Sequence, residues 1–131
     1  KMGDINKIIF NVGTNDIRYE RFGTIKYQEP VNELIGKARN YFPQAMIYIV
    51  PVLPMKNMYR YTVDNVLSFN EILKRAASLY SCEYVDCFGY FLSDDWRDIN
   101  KSLYCWDGLH LNARGLHLLG TWIYRIIFDF Y

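Results

Sequence analysis

Apolar residues along this chain follow two different spacings, and the continuous runs predict the strands of a sheet. Nearly unbroken apolar runs at residues 7–12 and 45–50 are typical of strands buried on both faces of a parallel sheet. Residues 83–86 predict a shorter third strand. Residues 14–23 form a polar stretch, and residues 87–106 are expected to form an irregular, polar and aromatic segment.

Apolar residues spaced three or four positions apart predict the helices between these strands. One such stripe covers residues 31–42, with Pro30 in its first turn and Pro43 as its stop, and another covers residues 63–80. A last stripe begins after Asn112, which is a suitable N-cap. The order strand, helix, strand, helix, strand, loop, helix predicts an α/β fold with a parallel sheet.

The composition predicts one aromatic-rich globular domain over residues 1–131. Of the 131 residues, 51% are hydrophobic and 18% are aromatic, which is enough for a single core. A net charge of +1 gives no reason to expect nucleic acid as a partner, and no apolar run is long enough to span a membrane. The cysteines match neither a complete disulfide set nor a zinc pattern, which favours reduced thiols in an intracellular protein; no metal and no cofactor are predicted. They are Cys82, Cys87 and Cys105.

Near the start of the chain, a glycine and an asparagine follow the first predicted strand. The run Gly13-Thr14-Asn15-Asp16 stands at the carboxyl end of that strand, the edge where parallel sheets carry their sites. Ester hydrolysis passes through an intermediate with a negative oxygen, to which the amide of Asn15 can donate while Gly13 permits the turn. An ordinary turn, which all four residue types favour, remains an open alternative.

Near the end of the chain, an aspartate precedes a histidine by three residues. The carboxylate of Asp107 can accept from one ring nitrogen of His110 and fix its tautomer, so that the other nitrogen acts as a general base. Because this pair follows the third strand, it also belongs to the carboxyl edge of the sheet. The alternative is a loop turn at Asp107 with His110 packed at the start of the last helix.

Together, the two motifs and the order of elements resemble the SGNH hydrolases, also called the GDSL-type esterase/lipase family. The resemblance implies a three-layer α/β/α, flavodoxin-like fold and an esterase that acts on a small-molecule, glycan or lipid ester. By position, it implies that Gly13 and Asn15 form the oxyanion hole and that Asp107 and His110 belong to a Ser-His-Asp triad. It extends into the residues after the second motif: Leu111, Asn112, Gly115, Leu119 and Gly120.

The nucleophilic serine of that family is not evident in this chain. The family carries it in a Gly-Asp-Ser block upstream of the oxyanion motif, whereas here Gly3-Asp4 is followed by Ile5, a match that we interpret as accidental. The chain is therefore either the C-terminal portion of a longer hydrolase, with the first strands missing, or an inactive relative that binds a protein or RNA partner. Its own serines lie elsewhere: Ser68, Ser78, Ser81, Ser93 and Ser102.

The family's strand order makes a further prediction about the first strand. In the flavodoxin-like order 2-1-3-4-5, this chain would supply the last three strands, and residues 8–12 would form an exposed edge. An uncovered apolar edge promotes aggregation, so we expect a missing segment or another subunit to cover it.

Other polar and aromatic groups have weaker claims to a functional role. We interpret His117 as a structural or surface residue, and Asp94, Asp95 and Asp98 as solvated acids without the spacing of a metal site. Two further clusters have open alternatives: the first either lines a substrate or RNA surface or is a solvated loop, and the second either forms the rim of an acyl pocket or fills core and surface positions. They are Arg18, Tyr19, Arg21 and Phe22, and Met55, Met58, Tyr59 and Tyr61.

Overall fold

Three parallel strands form the sheet in the computed structural model, which describes residues 4–18, 20, 23–56 and 63–128. The strands are β1 (Lys7–Phe10), β2 (Met46–Ile49) and β3 (Glu83–Tyr84), and they stand in the order β1-β2-β3. Lys7 lies opposite Met46, and Tyr48 lies opposite Glu83. Because β2 pairs with both of the others, it is the central strand of the described sheet.

Four α-helices accompany the sheet. They are α1 (Thr14–Arg18), α2 (Gln28–Tyr41), α3 (Val63–Leu79) and α4 (Ala113–Ile127). The last three confirm the helices that the apolar spacing predicts, and the side chain of Asn112 caps α4 by accepting from Gly115 N at 3.0 Å. Within the described part of the chain, no helix combines the length and the apolar character needed to cross a membrane.

Helix α1 is an element that the sequence did not predict. The sequence shows only a polar stretch at residues 14–23, but Ile17 is fully buried and its N–H donates to Gly13 O at 3.0 Å, which fixes one helical turn. A five-residue helix with one buried side chain is too short to produce a periodic apolar pattern. The polar composition of this stretch therefore gives no sign of the helix.

The side chains of β2 alternate between two hydrophobic clusters on opposite faces of the sheet. Ile49 packs in a cluster with side chains of α2 and α3, whereas Tyr48 and Val50 pack in a second cluster. Leu118 and Trp122 of α4 cover that second cluster. The sheet therefore lies between two helical layers, which confirms the predicted three-layer α/β/α fold.

Strand β1 lies at an open edge of the described sheet. Its carbonyls at Asn6 and Phe10 accept from Met46 N (2.9 Å) and Val50 N (2.8 Å) of the β2 side. Since consecutive residues of a strand direct their backbone groups to opposite neighbours, Lys7 and Ile9 direct theirs away from β2. The side chain of Ile9 is 44% exposed. This edge is the one that the sequence predicted to need a cover.

At the amino edge of the sheet, the Arg39 guanidinium ties the end of α3 to the start of β2. It donates to Tyr80 O (3.0 Å), Ser81 O (3.0 Å) and Ala45 O (2.7 Å). These carbonyls lie just after α3 and just before β2, where the regular hydrogen bonds of a helix or strand do not satisfy them. One side chain of α2 thus joins two crossover connections.

We predict opposite effects on stability for alanine at two glycines of α4. A Cβ at Gly115 would lie 2.1 Å from Leu103 O, a backbone atom, so Gly115→Ala should lower the free energy of unfolding by about 1–3 kcal/mol. At Gly120 no atom lies within 4 Å of such a Cβ, so Gly120→Ala should raise it by about 0.5–1 kcal/mol. Urea unfolding followed by circular dichroism measures both. Equal effects at the two positions would contradict the close packing of α4.

Candidate active site

The first motif follows the carboxyl end of β1 and begins with a turn at Gly13. Gly13 has a φ of +110°, and a Cβ there would lie 2.2 Å from the Phe69 ring. Only glycine fits this conformation and this contact without rearrangement. The turn leads into α1, where Asn15 is exposed in the first turn while Ile17 anchors the helix in the core.

The second motif is a tight loop between two bridged residues. Tyr104 and Leu111 form an isolated antiparallel bridge, and Cys105 N donates to His110 O at 2.8 Å. Gly108 N donates to Cys105 O at 3.0 Å and closes a turn, which Gly108 completes with a φ of +65°. Asp107 lies inside this turn and His110 at its exit.

The side chains of Asp107 and His110 contact each other directly. Asp107 Oδ2 is 2.5 Å from His110 Nδ1, and Asp107 Oδ1 accepts from the backbone N–H groups of Leu109 (2.9 Å) and His110 (3.0 Å). In neutral histidine this contact places the proton on Nδ1. Nε2 is then the basic nitrogen, and the His110 side chain is 74% exposed. The geometry is that of an oriented imidazole with its reactive nitrogen open to a ligand.

We predict that the contact with His110 can be read from the titration of Asp107. The hydrogen bond from the His110 side chain, followed by those from Leu109 N and His110 N, lowers the pKa of Asp107 to about 2. Because folding lowers this pKa, the contact stabilises the fold above the ordinary Asp pKa of about 3.9 and is lost as the pH falls towards 2. His110→Ala should raise the pKa of Asp107, as measured by carboxyl-carbon NMR.

Asp95 provides the control for that titration. Its pKa is lowered mainly by the Ser93 hydroxyl and should not change when His110 is replaced. If the Asp107 midpoint were the same with and without the imidazole, the contact would not exist in solution.

A series of contacts places both motifs at the carboxyl edge of the sheet. Gly13 lies against Phe69 of α3, and the next residue, Asn70, holds the segment after β2 by bonding Val52 N (2.8 Å) and Val52 O (3.0 Å). Further along this segment, Lys56 N donates to Gly108 O at 2.8 Å. The segment after β2 therefore links the turn that carries Asn15 to the loop that carries the Asp-His pair.

The serines of the chain do not join this site. Ser78 is the last exposed serine of α3 and Ser81 precedes β3, so both lie towards the amino edge. Ser93 Oγ donates to Asp95 at 2.7 Å, and Ser102 Oγ donates to Asn100 at 2.7 Å. Ser68 is exposed on α3. Among the hydrogen bonds of the described residues, none joins a serine to His110.

The remaining candidates from the sequence are placed as follows. Met55 is 6% exposed and belongs to the core, and His117 is exposed on α4. Arg18 and the acidic residues Asp94 and Asp95 are exposed. Within the described ranges, no group of three or more metal-ligating side chains is found. Gly3, Tyr19, Arg21, Phe22, Met58, Tyr59 and Tyr61 lie outside the described residues.

Two contributors to the site were not identified from the sequence. Asn70 lies within the apolar stripe of residues 63–80, and a polar residue on the buried face of a helix is itself a signal of a specific hydrogen bond. Lys56 gave no signal, because its contact with the loop is made by its backbone and by its aliphatic carbons.

The sequence matches the model of the GDSL-like lipase/acylhydrolase family over residues 4–118. The chain therefore belongs to this family, and it is an SGNH/GDSL hydrolase-like domain, as its two motifs predicted. No curated protein is a significant match to the sequence.

Solved structures support the same fold. A protein from Streptococcus pneumoniae matches with a TM-score of 0.77 and 24% identity, over 95% of this chain and 60% of that one. A GDSL-like lipase from Bacteroides thetaiotaomicron matches with a TM-score of 0.72 and 16% identity, over 92% and 61%. The esterase domain of the zebrafish ZfL2-1 ORF1 protein matches with a TM-score of 0.66 and 23% identity, over 91% and 66%. The chain thus spans about 60–66% of the length of these structures.

Proposed function

We propose that this domain takes part in the hydrolysis of small-molecule, glycan or lipid esters by a serine mechanism. The observation that carries the proposal is the contact between Asp107 Oδ2 and His110 Nδ1 at the carboxyl edge of the sheet. A histidine with a purely structural role would use both ring nitrogens in contacts within the protein, whereas the His110 side chain is 74% exposed. Membership of a lipase/acylhydrolase family supports the same chemistry.

In the proposed reaction, His110 Nε2 takes the proton of the nucleophilic serine as its oxygen attacks the ester carbonyl. The carbonyl oxygen becomes negative, and it accepts hydrogen bonds from the Asn15 amide and from Gly13 N–H. His110 then gives its proton to the leaving alcohol. A water molecule attacks the acyl-serine by the same route and releases the acid, while Asp107 keeps the imidazole oriented throughout.

We propose that the serine comes from a polypeptide segment that pairs with the open edge of β1. None of the five serines described here has a place beside His110, and the backbone groups of Lys7 and Ile9 face away from β2. A strand added at this edge would end beside Gly13, because parallel strands share their carboxyl edge. A serine at the end of that strand would lie at the proposed oxyanion hole.

Labelling with a fluorophosphonate tests the source of the nucleophile. We predict that the 131-residue chain alone is not labelled. The protein as its own gene encodes it should be labelled at a serine outside residues 1–131, which peptide mass mapping would locate. Labelling of Ser93 or Ser102 would contradict the proposal and assign the nucleophile to this chain.

A second candidate function is a catalytically inactive domain that binds a protein or RNA partner. It is favoured by the same absence of a serine beside His110 within the described residues. The two functions are separated by the gene sequence upstream of Lys1. A Gly-Asp-Ser strand there supports the hydrolase, and its absence, together with no labelling, supports the binding domain.

A further inference from the structure

Trp106 is a large apolar side chain that the fold leaves almost completely in water. It is 94% exposed, and it occupies the turn immediately before Asp107. Tryptophan is on average highly buried, and an indole buries more apolar surface than almost any other side chain when it meets a partner. Neither the core nor the Asp107–His110 contact uses it. The exposed indole, next in sequence to the candidate active-site Asp107, is therefore available to bind a ligand.

The indole borders a small groove with a rigid apolar floor. The groove has a volume of about 190 Å³, and Ile99 and Tyr104 line it with Trp106. Both floor residues are buried, at 3% and 5% exposure. The Tyr104 hydroxyl donates to Pro54 O at 2.5 Å, which fixes the phenol ring in place. The groove is thus preformed and suits a flat ring.

Two lysines give this groove a positive charge. Lys56 and Lys101 line it, and both are exposed. The aliphatic carbons of Lys56 lie against Gly108, where an added Cβ would be 2.2 Å from Lys56 Cβ. No acidic side chain lines the groove among the described residues. The adjacent carboxylate, Asp107, is already occupied by His110 and two backbone N–H groups.

We propose that this groove binds the part of the substrate ester that carries a flat ring and a negatively charged group. The indole of Trp106 would stack on the ring, and Lys56 and Lys101 would pair with the anion. Cys105, Trp106 and Gly108 line the groove and belong to the same loop as His110, so in this proposal a ring bound there would bring its ester towards the proposed general base. The proposal rests on the proposed hydrolase function, and it assigns that hydrolase a substrate class: esters of anionic ring compounds.

Binding of a model ring compound tests the groove without requiring catalysis. The probes are 2-naphthalenesulfonate and its neutral counterpart 2-naphthalenemethanol, titrated into the ¹⁵N-labelled protein. The chain has three tryptophans, so the indole N–H signal of Trp106 can be followed beside those of Trp96 and Trp122. We expect the sulfonate to shift the Trp106 signal alone, and to bind about 3- to 10-fold more tightly than the alcohol. This preference should decrease in 0.5 M salt, as expected for exposed charges.

Variants of the groove separate the contribution of stacking on Trp106 from that of the lysine charges to probe binding. Trp106→Ala should weaken binding of both probes about 10-fold or more, as measured on the ligand's own NMR signals. Lys56→Gln combined with Lys101→Gln should remove only the preference for the sulfonate. Lys74→Gln combined with Arg75→Gln, which removes the same number of positive charges from exposed positions of α3, is the control and should have no effect. Equal binding of the two probes, or no shift of the Trp106 signal, would overturn the proposal.

Two more measurements keep this test distinct from that of the hydrolase function. His110→Ala should retain probe binding whether or not the protein hydrolyses esters, so the groove is tested independently of catalysis. In the active protein, 4-acetoxybenzoate should have a lower KM than phenyl acetate, and the double lysine variant should remove that difference. A uridylate hexamer that shifts Trp106 at lower concentration than the sulfonate would overturn the substrate assignment in favour of RNA binding.

Discussion

Replacing His110 with alanine should remove nearly all hydrolysis of p-nitrophenyl acetate, a loss in kcat of about 10⁴-fold or more. Asp107 contacts Nδ1 of this residue and the side chain is 74% exposed, so in the proposed reaction the same imidazole would act as base for the nucleophile and as acid for the leaving group. Without the imidazole, no group would accept the proton of the serine or donate a proton to the leaving alcohol. The assay requires the protein as its own gene encodes it, because the proposed serine lies outside this chain.

The other histidine of the chain is the matched control for this variant. His117 is exposed on α4, outside the Asp107 loop, and His117→Ala should leave kcat and KM unchanged. Circular dichroism should show the same folded signal for both variants, because His110 is exposed and its removal creates no cavity. Unchanged turnover in His110→Ala would rule out the assignment of the general base.

Replacing Asn15 with alanine should lower kcat by about 10²–10³-fold and change KM little. The amide would donate to an oxygen that becomes negative only as the reaction proceeds, so its loss affects the transition state more than the bound ester. Asn15 is exposed in the first turn of α1, and the core anchor of that helix is Ile17, so the helix should form without the amide.

Asn40→Ala is the control for Asn15, since Asn40 is an exposed asparagine of α2 on the amino side of the sheet. A rise in KM without a loss in kcat would mean that Asn15 only binds the substrate. An unchanged kcat and KM would remove Asn15 from the oxyanion hole and leave Gly13 N–H as the proposed donor.

Much of the frame could be predicted because long periodic patterns determine it. The apolar stripes of α2, α3 and α4 run over several turns and show which face of each helix is buried. The continuous apolar runs of β1 and β2 are typical of strands that are covered on both faces. Parallel strands then bring the Gly13 turn and the Asp107 loop to one edge. The direct contact of Asp107 with His110 also follows from their spacing, since a tight turn brings such side chains together.

The features that escaped prediction depend on single contacts between distant parts of the chain. Helix α1 forms because Ile17 is buried, and the loop of His110 is held by Lys56 through a backbone bond. No periodicity encodes the clamp of Asn70 on Val52. The exposure of Trp106 was not predicted either, because tryptophan is on average highly buried.

The Arg39 network at the amino edge has a consequence for how this domain can diversify. Arg39 joins the crossover connections at the end of the sheet opposite the Asp107 loop. Part of the stability of the fold therefore comes from residues outside the candidate active site. Exposed loop residues at the carboxyl edge can then be replaced to change substrate selectivity without loss of the fold. Directed evolution towards new ester substrates should accordingly begin with libraries at the exposed positions Lys101, Cys105 and Trp106, and should leave the guanidinium and its acceptors intact.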